Sequence, residues 1–213
     1  MRPTGRPVER PVERPTERPV GRPMEDILRA TGGLVEGHFR LSSGRHADRY
    51  LQLAAPFQHP AVGAELAAGL AERVRQAGLR PATVLGPAFG AILPGYELAR
   101  ALGTRFLFCE RGAEGRFALR RGFQVAADER VLVCENTLTT GGSALEAVDL
   151  LRAEGAAVIG VAVYCDRIPD PGAVFDVPYV ALARFDLPTW AAGECPLCRA
   201  GGEAVKPGSR PGA

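Results

Sequence analysis

From Met24 onward, short apolar runs alternate along the chain with segments that carry apolar residues at helical spacing. A strand, a crossover helix and a second strand together form a parallel strand pair, and parallel sheets need helices on both faces. The alternation therefore predicts an α/β fold with a mostly parallel sheet flanked by helices. In such a sheet the ligand binds at the carboxyl ends of the strands, beside the topological switch point.

The individual elements can be predicted from these patterns. A short helix ends at Gly32, and two strands flank a turn at Ser43-Gly44-Arg45. A longer helix ends at Gly78, where glycine can adopt the left-handed conformation. In chain order, the rest is predicted as strand TVLG, helix AILPGYELARALG, strand RFLFCE, a Gly- and Arg-rich loop, strand RVLVCEN, helix GGSALEAVDLLRAEGA, strand AVIGVAVYCDR and a late strand near PYVALARF.

The first 23 residues differ from the rest, because they form a tetrapeptide repeat with proline at every fourth position. Proline lacks an N–H donor and fixes φ, so residues 1–23 are predicted to be a disordered Arg-Pro tail. The alternatives are a proline-rich ligand, an anion-seeking arm, and upstream sequence read from an earlier start codon than Met24. The tail has a charge of +3 within a net charge of +2, so residues 24–213 carry −1. That balance predicts no nucleic-acid partner.

The apolar runs and the cysteines predict a cellular setting. No apolar run reaches the roughly 18 residues of a membrane span, and the N-terminus lacks the apolar stretch of a secretory signal. Five cysteines in such a chain predict reduced thiols, so we expect a cytoplasmic protein without a membrane partner. Cys109, Cys134 and Cys165 lie near the ends of apolar strands and are interpreted as small buried residues.

The segment VLVCENTLTTGGS, residues 131–143, carries most of the candidate chemistry. Glu135 and Asn136 lie where a buried strand ends, Thr137 to Gly142 form a loop, and a helix begins at Ser143. Two glycines and three threonines at a helix N-terminus offer N–H groups, hydroxyls and a positive helix end to a phosphate. The Walker pattern is absent, and a capped strand-to-helix turn is the alternative interpretation.

Taken together, the apolar strand, the pair Glu135-Asn136 and the run T-x-T-T-G-G-S resemble the phosphoribosyl-pyrophosphate signature of type I phosphoribosyltransferases. The resemblance implies that Glu135 and Asn136 hold the ribose hydroxyls in catalysis, and that the loop wraps the 5′-phosphate. Asparagine stands where the family usually has aspartate, so Asn136 can bond a hydroxyl but brings no charge. The implied phosphate-loop residues are Thr137, Leu138, Thr139, Thr140, Gly141, Gly142 and Ser143.

Three further segments resemble the orotate branch of that family: the N-terminal hairpin at 34–53, the strand and pyrophosphate turn at 84–95, and the strand VYCDR at 163–167. The resemblance covers nearly all of residues 24–200. It implies a phosphoribosyltransferase domain with a small N-terminal hood and a flexible loop. It also implies transfer of the phosphoribosyl group of 5-phosphoribosyl 1-diphosphate to orotate in pyrimidine biosynthesis, with Mg²⁺ as cofactor and a homodimeric assembly.

The same resemblance gives two residues a role toward orotate. Thr139 would contact the base, and Arg167 would bind its carboxylate with two parallel hydrogen bonds. A salt bridge of Arg167 with Asp166 or Asp170 is the alternative interpretation of this strand-end arginine.

The chain departs from the family in its lysines, since Lys206 is the single lysine among 26 basic residues. The family's hairpin and turn lysines correspond to Ser42 and Gly90. The loop ERGAEGRFALRRG, residues 110–122, has neither lysine nor histidine. Arginine cannot donate a proton near neutral pH. A phosphoribosyltransferase for another base and a non-catalytic regulator that binds phosphoribosyl diphosphate therefore remain as alternatives.

The loop's arginines are the candidates for replacing those lysines. We predict that Arg111 and Arg116 reach the pyrophosphate, either within their own subunit or across a dimer interface, with Arg111 in a catalytic role. Arg120 and Arg121 either add to this charge or form a solvated hairpin face.

The pair Cys195-Pro-Leu-Cys198 is half of a zinc site or a redox pair. A four-ligand site needs a second pair, and His38, His46 and His59 have no metal-like spacing. We therefore predict no metal-ligating residues and interpret the pair as a structural turn, with pairing across a dimer as the alternative. His46 is assigned to the surface, with a position near the active site as the alternative. Residues 201–213 are predicted to be a flexible C-terminus.

Overall fold

The computed structural model describes residues 22–41, 43–168 and 170–207. Most of the predicted repeat tail, Ser42 and the last six residues of the predicted flexible C-terminus lie outside the described residues. Among the described tail residues, Arg22 donates to the Glu65 carboxylate at 2.8 Å. No helix in the described ranges is long and apolar enough to cross a membrane.

The described chain alternates strands and helices in the predicted order. The helices are α1 (Met24–Ala30), α2 (Ala54–Phe57), α3 (Pro60–Gln76), α4 (Ile92–Leu102), α5 (Gly142–Ala153) and α6 (Pro196–Arg199). The strands are β1 (Leu34–Arg40), β2 (His46–Leu51), β3 (Thr83–Pro87), β4 (Arg105–Arg111), β5 (Phe117–Leu119), β6 (Arg130–Leu138), β7 (Ala157–Asp166), β8 (Tyr179–Arg184) and β9 (Thr189–Trp190). The sequence pattern misses α2, β5, β9 and α6, since two to four residues are too few for a period to be read.

Six strands form the central sheet in the order β5-β4-β3-β6-β7-β8. All neighbours pair in parallel except β4 and β5, which form an antiparallel hairpin at one edge. The α/β, mostly parallel sheet predicted from the sequence is therefore confirmed. The chain adds β4 on one side of β3 and later β6 on the other, so the topological switch point lies between β3 and β6.

Two hydrophobic clusters cover the two faces of this sheet. Helices α3 and α4 pack on one face and α5 on the other. In β6, Leu132 and Cys134 belong to the first cluster, whereas Val131 and Val133 belong to the second. Burial on both faces explains why this strand is apolar at every position from Val131 to Cys134. Cys109, Cys134 and Cys165 are buried free thiols, as interpreted from the sequence.

A smaller antiparallel sheet, the hood, contains β1, β2 and β9 in that order. Its third strand comes from the C-terminal part of the chain, where Trp190 pairs with His46. The Arg45 guanidinium also donates to the Thr189 hydroxyl at 2.8 Å and to the Thr189 carbonyl at 2.6 Å. The predicted N-terminal hairpin is therefore completed by a segment about 140 residues further along.

Part of the predicted flexible C-terminus is attached to the hood in the structure, because Val205 forms backbone hydrogen bonds with β1. The Val205 carbonyl accepts from the Arg40 N–H at 2.9 Å, and the Val205 N–H donates to the His38 carbonyl at 2.8 Å. An edge strand such as β1 offers unpaired backbone groups to any nearby segment. Because these bonds are made by the backbone, the Gly- and Pro-rich composition gives no sign of them.

Candidate active site

A cavity of about 230 Å³ opens at the carboxyl ends of β3 and β6, at the switch point of the sheet. It is lined by the end of β3 and the turn after it, by Phe117 of β5 and by residues 135–143 of the strand-loop-helix segment singled out in the sequence. The lining residues are Pro87, Ala88, Phe89, Gly90, Phe117, Glu135, Asn136, Thr137, Leu138, Thr139, Thr140, Gly141, Gly142 and Ser143. The structure thus brings the predicted ribose and phosphate residues together, while their roles toward a substrate stay predictions.

The loop between β6 and α5 is shorter than the sequence indicates. Strand β6 runs to Leu138 and α5 begins at Gly142, so three residues rather than six connect them. Thr137 and Leu138 stay in the sheet because they pair with Cys165 and Asp166 of β7. Threonine, being β-branched, suits a strand as well as a loop, and the sequence alone did not separate the two.

Gly141 makes the turn into α5 possible. Its φ is +80°, and a Cβ at this position would lie 2.8 Å from the Val174 Cγ1 atom. Among the described residues no side chain caps the first turn of α5, and Gly142 and Ser143 at its start line the cavity. The N–H groups of this turn and the positive end of the helix therefore face the cavity. This arrangement suits a phosphate.

Glu135 is the carboxylate of the cavity, and it is only 6% exposed. Burial raises the pKa of Glu135 to about 7, because the ionised form loses water. Its Oε2 atom accepts a hydrogen bond from the Asn136 N–H at 3.3 Å, which only partly offsets that cost. A buried carboxylate with so few partners is well suited to accept hydrogen bonds from a ligand's hydroxyl groups.

Asn136 and Gly90, two of the departures from the family pattern, are in contact. The Asn136 Oδ1 atom accepts from the Thr137 N–H at 2.7 Å. Its Nδ2 atom lies 2.7 Å from where a Cβ of residue 90 would be, so a lysine there would collide with the amide. The sequence treats the two positions as separate losses, whereas the structure couples them sterically.

Arg167 follows β7 directly and is held next to the cavity. Its backbone N–H donates to the Leu138 carbonyl at 2.9 Å, although Arg167 itself does not line the cavity. Its Nε atom is buried and has no hydrogen-bond partner in the described part of the chain. Burial lowers the pKa of its guanidinium. A buried cation donor without a partner is expected where an anionic ligand supplies the acceptor.

The alternative interpretation of Arg167 is a salt bridge with Asp166 or Asp170. Among the described residues, neither aspartate forms an ion pair with Arg167. The Asp166 carboxylate accepts from the Ile168 N–H at 2.7 Å and lies 3.9 Å from an Arg184 nitrogen. The Asp170 carboxylate accepts from the Gly172 N–H at 3.1 Å.

The predicted flexible loop is the hairpin of β4 and β5 with its turn at 112–116. Arg111 is held beside the cavity: its guanidinium is 2.9 Å from the Glu146 carboxylate and 4.2 Å from the centre of the Phe117 ring. Arg116 is exposed in the turn and forms no ion pair with another described residue. Arg116 is therefore the freer of the two arginines predicted to reach a pyrophosphate.

Arg120 and Arg121 pair with Glu110 instead of extending toward the cavity. Both are exposed, and they lie 3.7 Å and 3.0 Å from the Glu110 carboxylate. This geometry favours the solvated hairpin face over a contribution to ligand charge.

A second cluster of polar side chains lies between the hood and the segment Cys195–Cys198, and sequence reasoning missed it. The side chains of His38, His46, Cys195 and Cys198 converge, with one nitrogen or sulfur atom of each within 4.8 Å of all the others. The surface assignment of His46 is wrong, since His46 is 7% exposed. The conclusion that no second pair accompanies the two cysteines is also wrong, because separations of about 150 residues hide the pairing.

Comparisons with known proteins agree with this architecture. The family model of the phosphoribosyl transferase domain matches residues 55–193. The orotate phosphoribosyltransferase of Wolinella succinogenes is 44% identical over 199 residues, covering 88% of this chain and 97% of the relative. That of Heliobacterium modesticaldum is 47% identical over 186 residues, covering 87% and 96%.

Solved structures show the same fold. The orotate phosphoribosyltransferase of Mycobacterium tuberculosis in complex with inorganic phosphate has a TM-score of 0.60 and 26% identity, covering 75% of this chain and 94% of that one. The Aeropyrum pernix enzyme has a TM-score of 0.65 and 24% identity, covering 75% and 92%. With a fold, a cavity and relatives in agreement over most of its length, the chain belongs to the orotate phosphoribosyltransferase family, within the phosphoribosyl transferase domain family.

Proposed function

We propose that this chain transfers the phosphoribosyl group of 5-phosphoribosyl 1-diphosphate to orotate, giving orotidine 5′-phosphate and diphosphate in pyrimidine biosynthesis. The observation that carries the proposal is the switch-point cavity, which gathers a buried carboxylate, an uncapped helix end and the loop between them. The relatives named above carry the name of this activity.

The cavity residues and the neighbouring Arg167 bind different parts of the two substrates. The N–H groups and hydroxyls from Thr139 to Ser143 bind the 5′-phosphate. The carboxylate of Glu135 and the amide of Asn136 bind the ribose hydroxyls. The buried Nε atom of Arg167 donates to the orotate carboxylate, which supplies the acceptor that the described residues lack.

The reaction breaks the bond between the anomeric carbon and the diphosphate oxygen and forms a bond from that carbon to a pyrimidine nitrogen. The proton of that nitrogen is lost to the departing diphosphate. Positive charge develops on the ribose ring as the leaving group departs. Glu135 at the ribose would stabilise that charge strongly, because a carboxylate acts through a low local dielectric where it is buried. The other residues bind and orient the reactants and exclude water.

The donors at the cavity fit Mg²⁺. The carboxylate of Glu135, the amide of Asn136 and the hydroxyls of Thr139 and Thr140 are hard oxygen donors, and Mg²⁺ is usually held by one or two carboxylates together with substrate phosphates and water. Glu135 and Asn136 would hold it. When bound, Mg²⁺ neutralises the charge that develops on the leaving diphosphate.

The deciding experiment follows orotate absorbance after phosphoribosyl diphosphate and Mg²⁺ are added to the purified chain. Loss of orotate with release of diphosphate supports the proposal. Saturable binding of phosphoribosyl diphosphate without turnover would favour the non-catalytic regulator, and turnover with another base would favour a different phosphoribosyltransferase.

The proposal includes a cytoplasmic homodimer. All five cysteines are free, as expected in a reducing compartment. Phe89, Leu93 and Tyr96 are exposed beside the cavity, with 86% of Phe89 accessible. An apolar surface of this kind is typical of contacts between subunits.

Arg116→Ala is expected to raise KM for phosphoribosyl diphosphate about tenfold or more, since a hydrogen bond to a charged group contributes about 1.5–3 kcal/mol. Arg111→Ala is expected to raise the same KM, with a smaller effect because Glu146 already pairs with Arg111. Steady-state kinetics with orotate saturating measures both. Arg120→Ala is the matched control and should leave KM unchanged. An unchanged KM in both test variants would disprove the role.

Arg116→Ala, combined with a second variant, Glu135→Gln, tests whether Arg116 acts across the dimer interface. If Arg116 serves the partner's cavity, mixing Arg116→Ala with Glu135→Gln protein after subunit exchange restores one intact site in each mixed dimer. With phosphoribosyl diphosphate far below its KM, where Arg116→Ala sites are nearly inactive, random mixing then gives about a quarter of the wild-type activity. Activity no higher than the sum of the two variants would assign Arg116 to its own cavity.

Asn136→Asp is expected to lower kcat/KM by about threefold to tenfold. A second carboxylate next to Glu135 would raise the pKa of Glu135 further and favour its protonated form. The measurement is kcat/KM for phosphoribosyl diphosphate between pH 6 and pH 9, where the loss should be largest at the acid end. A variant more active than the wild type would mean instead that Asn136 is a degraded acidic position.

A further inference from the structure

The cluster of His38, His46, Cys195 and Cys198 has the dimensions of a metal centre. The His38 Nε2 and His46 Nδ1 atoms are 3.0 Å apart. The Cys195 Sγ atom is 3.4 Å from His38 Nε2, and the Cys198 Sγ atom is 3.6 Å from His38 Nε2 and 3.3 Å from His46 Nδ1. Tetrahedral Zn²⁺ with ordinary bond lengths separates two nitrogens by about 3.3 Å, a nitrogen and a sulfur by about 3.6 Å and two sulfurs by about 3.8 Å.

Hydrogen bonding does not account for this convergence. Three atoms, one from each of the other side chains, lie within 3.6 Å of the single Nε2 atom of His38. A neutral imidazole nitrogen either donates one proton or accepts through one lone pair, so it can satisfy only one of them well. A cation at the centre satisfies all four groups at once.

The backbone brings the four residues together independently of their side-chain positions. His38 lies where the β1–β2 register shifts between Glu36 and Phe39, and a bulge of this kind redirects a side chain. His46 is fixed by its pairing with Trp190. Further along the chain than the two cysteines, the Val205 N–H donates to the His38 carbonyl. The segment Cys195–Cys198 is therefore attached to the hairpin on both sides in sequence, through Trp190 before it and Val205 after it.

We propose that His38, His46, Cys195 and Cys198 form a structural zinc site that ties the N-terminal hairpin to the C-terminal segment. Two cysteines and two histidines are a common structural zinc set, and four protein ligands leave no position open for catalysis. Two thiolates balance the charge of Zn²⁺. The thiolate ligands select against Mg²⁺, so this site and the switch-point cavity take different metals.

The zinc site would cross-link the N-terminal hairpin to the C-terminal segment, which the few backbone contacts of the hood hold only weakly. Strand β9 contributes only two residues to the sheet, and the attachment of Val205 is a single bridge. Zinc sites of this kind contribute to folding directly, because the unfolded chain does not hold the ligands together. The inference is independent of the proposed reaction, since none of the four residues lines the cavity.

The experiment uses the full chain, purified without chelator and analysed for metal by mass spectrometry. About one zinc per chain is expected. Chelation in mild denaturant, followed by refolding with Co²⁺ alone, is expected to give the visible bands of tetrahedral cobalt and a near-ultraviolet thiolate-to-metal band. Substoichiometric zinc together with no thiolate-to-cobalt band would overturn the proposal, and both readouts are independent of catalysis.

Variants separate these ligands from the other thiols and imidazoles of the chain. Cys198→Ser and His38→Ala are expected to reduce bound zinc at least tenfold and to lower Tm by about 5 °C or more. His59→Ala and Cys109→Ala remove a histidine and a cysteine outside the cluster and should retain one zinc per chain. If a ligand variant does not fold, the cobalt spectrum of the wild type decides alone. Ligand variants that keep full zinc would disprove the assignment.

Discussion

Replacing Glu135 with glutamine is expected to lower kcat/KM for phosphoribosyl diphosphate by about 100-fold or more. The carboxylate is the one charged group among the residues that line the cavity, and its ionised form would accept two hydrogen bonds from the ribose hydroxyls. Hydrogen bonds to a charged group contribute about 1.5–3 kcal/mol each. Glutamine keeps the shape but loses the charge, so the loss measures the electrostatic part of the interaction.

The same substitution is expected to stabilise the folded chain at pH 8 by about 1–2 kcal/mol, after allowing for an unpaired glutamine amide. The pKa of Glu135 is raised from 4.5 to about 7 on folding. Above pH 7 both states are ionised, and the folded state carries the cost of a buried charge. As pH falls from 7 to 4.5, the folded carboxyl is protonated first, so the wild type recovers stability and the advantage of glutamine disappears.

Urea unfolding of both proteins at pH 5 and pH 8, with initial rates at pH 8, measures the two effects together. Lower activity with higher stability at pH 8, and equal stability near pH 5, is the expected result. Lower activity with lower stability at both pH values would mean that Glu135 acts by holding the fold. Unchanged activity would remove Glu135 from the ribose site.

Arg167→Ala is expected to raise KM for orotate by about 100-fold while leaving KM for phosphoribosyl diphosphate within about threefold. The loss follows from two charge-assisted hydrogen bonds to the orotate carboxylate. The Nε atom of Arg167 has no protein partner among the described residues, so little folding energy depends on this side chain. Tm of the variant should therefore stay close to that of the wild type.

Arg167→Lys is the matched variant, because it keeps the positive charge and loses the planar pair of donors. Its KM for orotate is expected to lie between those of the wild type and the alanine variant. An increase in KM for phosphoribosyl diphosphate equal to that for orotate would contradict the assignment, as would a large fall in Tm. Either result would favour a structural role at the end of β7.

The structural features that could be predicted correctly from the sequence are those that depend on residues within one continuous segment. The apolar run of β6, Glu135 at the end of that run and the two glycines at the start of α5 lie within about a dozen residues, so pattern and spacing locate the strand, the turn and the helix. The end of β6 was misjudged because Thr137 pairs with Cys165 of another strand. That pairing is a tertiary contact, which local propensity does not contain.

The features that the sequence did not predict depend on residues far apart in the chain. Gly90 and Asn136 are separate departures in the sequence and a single steric contact in the fold. His38 and Cys198 are separated by 160 residues, and the two-residue strand β9 that brings their segments together has no periodicity of its own. Short elements of this kind become visible only once the larger sheet has fixed the positions of both ends.

The hood has a consequence for the order in which the protein can fold during synthesis. Strand β9 and the bridge at Val205 come from the last part of the domain, yet they complete a sheet that begins at Leu34. The central sheet can form once β8 has left the ribosome, whereas the hairpin of β1 and β2 must wait for Trp190 and is only marginally stable until then. A nascent chain halted before Trp190 is therefore expected to contain a formed phosphate loop and an incomplete hood.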